Sequence, residues 1–354
     1  MGKVIKRVLL ILLIIILVVI LIFLAGAWSI FGEKLKAAGS VKALDDNLYY
    51  MEYKGDYGFD GFLEQGGASS QTELAKYIMD FLSGGFMSKM PSMGKMDFGC
   101  TAYTVNSTEG GSLMGRNYDW DGLNGKTMIV YTEPKNGYAS YSTCWLDFLG
   151  FGDDWKPEGM ANQYMSLSAI YVPLDGINEK GLVIADLMAG DDESTKQQTD
   201  KKNLTTTTAI RLLLDQAATV EEAIALLEQY DMNSDIGRGH HLAISDATGK
   251  SVVVEYIDNI MYVTDTKVVT NHYLTEGEKF GVGNEESHAR LKKVLAMDEE
   301  AGSTMNTEQL RDVMEKVSYA DSTQWSIVYD MESKALDFYW QRQYDTPYHF
   351  EIRK

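Results

Sequence analysis

Cys100, Arg116 and Asp119 are the residues whose types and spacing point to chemistry. A free thiol titrates at about 8.5, and only the thiolate attacks a carbonyl carbon well. A guanidinium close to it stabilises the anion and lowers that value. A carboxylate three positions further on can orient a neighbouring cation. No histidine lies near these residues in the sequence, so the thiol's proton needs another acceptor. The α-amino group of a chain terminus titrates at about 8, which suits general-base work at neutral pH. Cys100 carries such a group only if the peptide bond between Gly99 and Cys100 is cut. Gly99 suits a self-cut, because a residue without Cβ leaves room for thiol attack on its own carbonyl.

The chain between these residues must bring them together. Residues 101–105 (TAYTV), 106–111 (NSTEGG) and 112–117 (SLMGRN) read as strand, turn and strand. A turn centred on Thr108 and Glu109 sets Cys100 opposite Asn117 and next to Arg116, with Asp119 at the same end of the sheet. Further strands are expected at 128–132, 165–172, 181–187, 242–245, 251–256, 261–263, 267–270, 325–329 and 335–340. Helices are expected at 74–83, 205–216, 220–230, 286–297 and 307–317, with Thr219 and Glu222 forming a capping box for the third. Strands in hairpins and helices in clusters favour an α+β architecture of antiparallel sheets over a doubly wound parallel fold. Met87, Met90, Met93 and Met96 recur every three residues, but Pro91 and Gly94 make that stretch an adaptable linker instead of a helical stripe.

Composition narrows the function classes. The 354 residues carry 32 Lys+Arg against 51 Asp+Glu, a net charge of −19, which argues against a nucleic-acid partner. Hydrophobic residues at 45% and charged residues at 23% are ordinary for a globular chain, so bulk disorder is excluded. Two cysteines rule out a disulfide-dense scaffold and a cysteine-based zinc finger. There is no G-x-S-x-G, H-E-x-x-H, P-loop, G-x-G-x-x-G or C-x-x-C. Residues 119–122 hint at a calcium loop, but Val130 stands where its glutamate belongs. His240 and His241, adjacent on a strand, face opposite ways and do not share one ion. No metal and no organic cofactor is expected. Tyr118, Trp120, Trp145 and Trp155 fit core packing first and an acyl pocket second.

Gly99-Cys100-Thr101, followed by Gly115-Arg116-Asn117-Tyr118-Asp119-Trp120, resembles the start of the N-terminal nucleophile (Ntn) hydrolases of the choloylglycine hydrolase type. These are linear amide C–N hydrolases and include bile salt hydrolases, penicillin V acylases, acid ceramidase and N-acylethanolamine acid amidase; isopenicillin N acyltransferases are more distant relatives. Further likenesses follow in order. They are Gly176-Ile177-Asn178-Glu179-Lys180-Gly181-Leu182, Thr270-Asn271-His272, Ser287 with Arg290, and Trp325-Ser326-Ile327-Val328-Tyr329-Asp330. The resemblance covers residues 100–345. It implies a four-layer αββα sandwich with Cys100 as nucleophile and its freed α-amine as base. Arg116 would poise the thiolate, Asp119 would hold the α-amine, Asn271 would donate to the oxyanion, and Arg290 would support the site electrostatically. One departure is Met188, which stands where bile salt hydrolases place a second oxyanion asparagine and removes a side-chain donor. A long leader before Cys100 resembles the self-cutting relatives and implies autoproteolysis between Gly99 and Cys100.

Residues 8–27 are apolar and uncharged. About 20 such residues span a bilayer as a helix. Lys3, Lys6 and Arg7 precede them, and positive flanks stay cytoplasmic, so the rest of the chain is expected outside the cell membrane on a single-pass anchor. A cleaved signal peptide is the alternative, with Ala25-Gly26-Ala27 as its cleavage site and secretion as its outcome, although the run exceeds the usual length of about 7–15 residues. The expected organisation is an anchor at 1–28, a pro-segment or linker at 29–99, and a catalytic domain at 100–354. The function expected is hydrolysis of linear amides such as N-acyl amides, conjugated bile acids or penicillin V. Alternatives are acyl transfer through the same acyl-Cys100, and an inactive surface binding module. A disulfide between Cys100 and Cys144 is the competing structural reading, since that compartment is oxidising.

Overall fold

The computed structural model describes residues 2–83, 98–120, 122, 125–152, 154–191, 193–234 and 237–353. The methionine stretch expected as a linker lies outside the described residues. The hairpin that begins at the candidate nucleophile is Phe98–Ser107 against Ser112–Trp120. It lies inside a seven-stranded sheet, between Val268–Val269 on one side and Thr323–Asp330 on the other. Ala335–Trp340 and Tyr348–Glu351 continue that sheet, and Thr304–Met305 runs parallel beside Phe98–Ser107.

A nine-stranded sheet faces it. Its order is Lys42–Asp45, Leu48–Lys54, Thr127–Glu133, Ser140–Trp145, Asp175–Asn178, Val183–Met188, His240–Ser245, Ser251–Ile257 and Ile260–Asp265. All neighbours are antiparallel except Leu48–Lys54 with Thr127–Glu133. Three hydrophobic clusters separate four layers. Tyr118, Trp145, Val183, Ala185, Trp325 and Phe338 fill the space between the sheets. Ile184, Ile210, Leu213 and Phe62 pack helices on the outer face of the larger sheet. Val105, Leu310, Val313 and Met314 pack helices on the outer face of the smaller one. Sheets covered on both faces need apolar residues at successive positions, and VIADLM in Val183–Met188 is buried throughout. This is the α+β, four-layer αββα arrangement that the resemblance implied.

The helices form where local signals favour them. Thr205 caps Thr206–Gln216, Thr219 accepts from Glu222 N–H to start Val220–Leu227, and Asn306 caps Thr307–Lys316 in a full capping box. Glu222 returns its carboxylate to Ala218 N–H at 2.7 Å, one residue before the expected partner.

Several expectations change. Residues 165–172, read as a strand, are helical: Gly159–Met165 runs into a 3-10 turn at Ser166–Tyr171. That turn is buried on every side, so its apolar run carries no period to distinguish helix from strand, and Ser166 and Ser168 hydroxyls bond carbonyls three residues back. The helix from Val220 stops at Leu227, and Tyr230–Asn233 pairs in parallel with Lys202–Thr205. The hairpin register is one residue off: Cys100 lies opposite Tyr118, not Asn117. Gly110 and Gly111 both take positive φ (100° and 71°), and Ser107 N–H bonds Gly111 O, which centres the turn on Glu109.

The segment before Cys100 contributes to the same body. Leu48–Lys54 pairs residue by residue with Thr127–Glu133, and Tyr49, Met51, Tyr53, Phe59, Phe62, Leu74 and Ile78 enter the outer core. Tyr57 donates to Asp215 at 2.6 Å inside it. The first helix, Gly2–Ser40, docks its C-terminal end through buried Lys34, Ala37 and Ala38. Further back, residues 13–22 are apolar and exposed over roughly 15 Å of helix, and among the described residues no helix is long and apolar enough to cross a membrane.

Ile327 is fully buried between the sheets on the strand beside the Cys100 hairpin. Ile327→Ala is expected to cost about 2–5 kcal/mol, read as a lower urea midpoint with an unchanged slope.

Candidate active site

Side chains alternate along the hairpin strands. Cys100 and Ala102 face the inter-sheet core, whereas Tyr103 and Val105 face the helices. On the partner strand Met114, Tyr118 and Trp120 point inward and Leu113 points outward. Arg116 has the inward parity and Asp119 the outward one. Their three-residue spacing therefore puts them on opposite faces of one strand, on either side of the Cys100 backbone.

On the inner face Arg116 is fully buried, and its guanidinium acts electrostatically on the Cys100 thiol. Its Nη1 donates to Asn117 O at 2.8 Å and its Nη2 to Asp186 O at 2.5 Å. Nε stands 3.5 Å from Asp175 Oδ2. Burial pushes the Cys100 thiol up, and Arg116 pulls it back towards ionisation.

The outer face carries the contacts to the Cys100 backbone. Cys100 N–H donates to Asn271 Oδ1 at 2.6 Å. The same oxygen accepts from Arg290 Nη2 at 2.8 Å, while Asn271 Nδ2 donates to Met188 O at 2.9 Å. Arg290 Nη1 donates to Thr101 Oγ1 at 2.8 Å and to Cys100 O. Asn271 is placed by the short strand Val268–Val269, whose Val269 pairs with Ala102. Arg290 is placed by the helix Glu285–Glu300, whose start is fixed by the Asn284 cap on Ser287 N–H at 2.8 Å. Thr270, His272 and Ser287 form a buried hydroxyl–imidazole cluster that ties these two elements together.

Asp119 is fully buried. Its Oδ1 accepts from Thr323 Oγ1, and Oδ2 has no hydrogen-bond partner among the described residues. Burial pushes its carboxyl up to about 6, against the pull of Arg290, the Thr323 hydroxyl and Arg116. Gly99 lies directly opposite Asp119; a Cβ on it would sit 3.5 Å from Asp119 Oδ2, 3.4 Å from Arg290 Nη2 and 3.0 Å from the Tyr319 ring. A carboxylate oxygen without a hydrogen-bond partner among the described residues thus lies beside the peptide that precedes Cys100.

Cys100, Arg116, Asp119, Asn271 and Arg290 therefore meet around one residue. Met188 offers its carbonyl to Asn271 and no side-chain donor. Thr323 and Asp175 carry no motif in the sequence, and Thr101 takes a contact with Arg290 that its place in the motif does not reveal. Asp175 left a signal, a charge set among the uncharged residues Leu174, Gly176 and Ile177. Asn178, at the end of the same strand, is structural: it bonds the Leu214 and Ala217 carbonyls and the Lys180 and Leu182 N–H groups. The disulfide does not form. Both cysteines are free; Cys144 faces the helical core, on the other side of the larger sheet from Cys100. His240 pairs with Asp186 at 2.8 Å and His241 with Glu255 at 2.9 Å, each on its own face. Among the described residues no group of three or more His, Cys, Asp or Glu could hold a metal ion. Tyr118, Trp120 and Trp145 line the inter-sheet core, with Tyr118 stacked on Trp325 at 4.1 Å, while Trp155 packs on the outer core.

A family model described as acyl-coenzyme A:6-aminopenicillanic acid acyl-transferase matches residues 106–345, more than half of the chain. The chain belongs to this family. The match includes Arg116, Asp119, Asn271 and Arg290 and begins shortly after Cys100. The chain is similar to a penicillin V acylase of Pectobacterium atrosepticum, 29% identical over 175 residues. That match spans 45% of each chain, less than half the length of the curated relative. Among solved structures, a mutant conjugated bile acid hydrolase of Clostridium perfringens superposes with a TM-score of 0.53 at 18% identity, covering 72% of this chain and 92% of that one. A second variant of the same hydrolase gives 0.52 at 18%, with 71% and 92% covered. These likenesses are to the Ntn-hydrolase fold.

Thr323→Val removes the hydroxyl that favours the ionised Asp119. The carboxyl should then titrate higher, and the acid limb of any amide-cleaving activity should move to higher pH. The measurement is a kcat/KM profile between pH 4 and 8, in which an unmoved limb would show that Asp119 ionisation does not control the rate.

Proposed function

We propose that this chain is a membrane-anchored, extracytoplasmic cysteine Ntn hydrolase of linear amide C–N bonds, with Cys100 freed by cleavage after Gly99. The observation that carries this reading is the clamp on the Cys100 backbone N–H by Asn271, beside the unpaired, buried Asp119 Oδ2. A buried carboxylate oxygen without a donor is costly. An α-ammonium released at Cys100 supplies the missing donor and charge.

In the maturation step the Cys100 sulfur attacks the Gly99 carbonyl carbon. The C–N bond to Cys100 breaks as the amine takes a proton, and water then hydrolyses the Gly99 thioester to leave a carboxylate and a free thiol. In turnover the α-amine accepts the thiol proton, the thiolate attacks the substrate carbonyl, and the amine passes the proton to the leaving nitrogen. Arg116 favours the thiolate from the inner face. Asn271 Nδ2 donates to the oxyanion, a contact of a kind worth about 2.7–4 kcal/mol. Water completes the cycle. The alternative product, an acyl group handed to an amine, keeps every step but the last, and the transferase name of the matching family model favours considering it. Substrates of the penicillin V or conjugated bile acid kind, named for the relatives, belong to this proposal.

The membrane part rests on the uncharged apolar residues 8–27 behind Lys3, Lys6 and Arg7, and on the exposed apolar face of residues 13–22. Positive residues at the start keep that end cytoplasmic. After cleavage the catalytic chain keeps its place through the Leu48–Lys54 pairing and the outer core.

Intact mass of the full-length chain in detergent should give two fragments split between Gly99 and Cys100 that co-purify, and Cys100→Ala should give one. A preparation active on amides but showing only the intact chain would overturn the self-cut. Asn271→Ala should lower kcat by about 10²–10³-fold. A wild-type chain that no thiol-reactive acyl probe labels would point instead to an inactive binding module. Product ratios with and without an added amine separate hydrolysis from transfer.

A further inference from the structure

Asp175 takes no step in the reaction above, yet its carboxylate is fully buried beside the guanidinium that serves the thiol. It lies on the strand Asp175–Asn178 of the larger sheet, across the inter-sheet core from the nucleophile hairpin. Its Oδ2 stands 3.5 Å from Arg116 Nε and accepts from Trp325 Nε1 at 3.0 Å. Its Oδ1 accepts from the Tyr329 hydroxyl at 3.0 Å and from the Thr143 hydroxyl. Three neutral donors from both sheets thus converge on one carboxylate. Burial pushes its titration up to about 6; Arg116 first, then Trp325 and Tyr329, pull against that. Arg116 has two of its nitrogens on backbone carbonyls and its Nε without a hydrogen-bond partner, and Asp175 is its ion-pair partner among the described residues.

We propose that Asp175 is a positioning residue for the nucleophile: it anchors Arg116 from the opposite sheet and, by sharing that charge, limits how strongly the guanidinium holds the Cys100 sulfur as thiolate. One cation stands between two groups that become anions. With Asp175 ionised, part of the Arg116 field at sulfur is cancelled, which keeps the thiolate basic and so more nucleophilic. With that charge removed, sulfur receives the full field. The groups facing this pair are Cys100, Tyr118 and Asp119 of the hairpin, Asp186 of Val183–Met188, Tyr329 of Thr323–Asp330, and Arg290 behind Asp119. None replaces Asp175 at Arg116 Nε. The inference rests on Cys100 being the nucleophile.

The test is the pH dependence of Cys100 alkylation by iodoacetamide in the full-length chain, followed by peptide mapping so that Cys144 is read separately. Asp175→Asn keeps size and one acceptor oxygen while removing the charge. Its alkylation limb should move down by about one pH unit, and plateau kcat should fall about threefold with KM unchanged. A merely structural Asp175 would lower stability and leave the limb in place. A limb that stays or moves up overturns the proposal. Should Asp175→Asn not fold, Tyr329→Phe decides. Losing one donor eases protonation of Asp175, so a smaller downward move supports the proposal and an unmoved limb overturns it. Alkylation is read without turnover. Amide cleavage surviving in Cys100→Ala would sink the nucleophile reading, a result distinct from an unmoved limb.

Discussion

A guanidinium with no access to water sits between two β-sheets, and much of the structure answers what that charge requires. A buried cation is tolerated only with an anion and hydrogen-bond acceptors close by. Arg116 takes two backbone carbonyls, one from each sheet, and one carboxylate from the opposite sheet. That carboxylate in turn needs donors, and Trp325, Tyr329 and Thr143 provide them. The polar cluster is enclosed by stacked aromatic rings, among them Tyr118 on Trp325. The sheets are thereby held in one register around the sulfur of Cys100, since a shift of either would leave a charge uncompensated.

The other face of the same strand solves a separate problem. Asp119, Asn271 and Arg290 meet on the helical side, where the backbone of Cys100 is accessible and its side chain is not. Strand parity divides the contacts: the Cys100 sulfur lies between the sheets on the side of Arg116, and the Cys100 backbone N–H is held beneath the helix Glu285–Glu300. Helix and strand are joined by the Thr270, His272 and Ser287 cluster, all buried. This joint sets the distance between Asn271 and Arg290, two residues that arrive from separate elements. Packing on that side is close enough that Gly115 lies against Met314 and Leu310.

The segment ahead of Cys100 is integral to the larger sheet. Leu48–Lys54 is its second strand, and aromatic residues of 49–62 lie in the outer core with Tyr171 and Leu213. Removing it would expose a row of backbone groups on Thr127–Glu133 and open a large apolar face. A leader with this much buried surface cannot be lost without cost to the fold.

Amino-acid order alone settled the hairpin, the start of the helix at Val220 and the resemblance, because these depend on short-range spacing: strand alternation, capping at Thr219, and a thiol, guanidinium and carboxylate within twenty residues. It could not settle the register, which two glycines at positive φ moved by one residue. Nor could it place Asp175, or turn residues 165–172 into helix. Their neighbours lie far along the chain, and full burial erases the polar–apolar period that sequence reading uses. The contacts of Asn271 and Arg290 with Cys100 span 171 and 190 residues. Only the closing of the two sheets and their covering helices brings them there, since hydrophobic burial fixes which faces meet while local propensity fixes only the elements themselves.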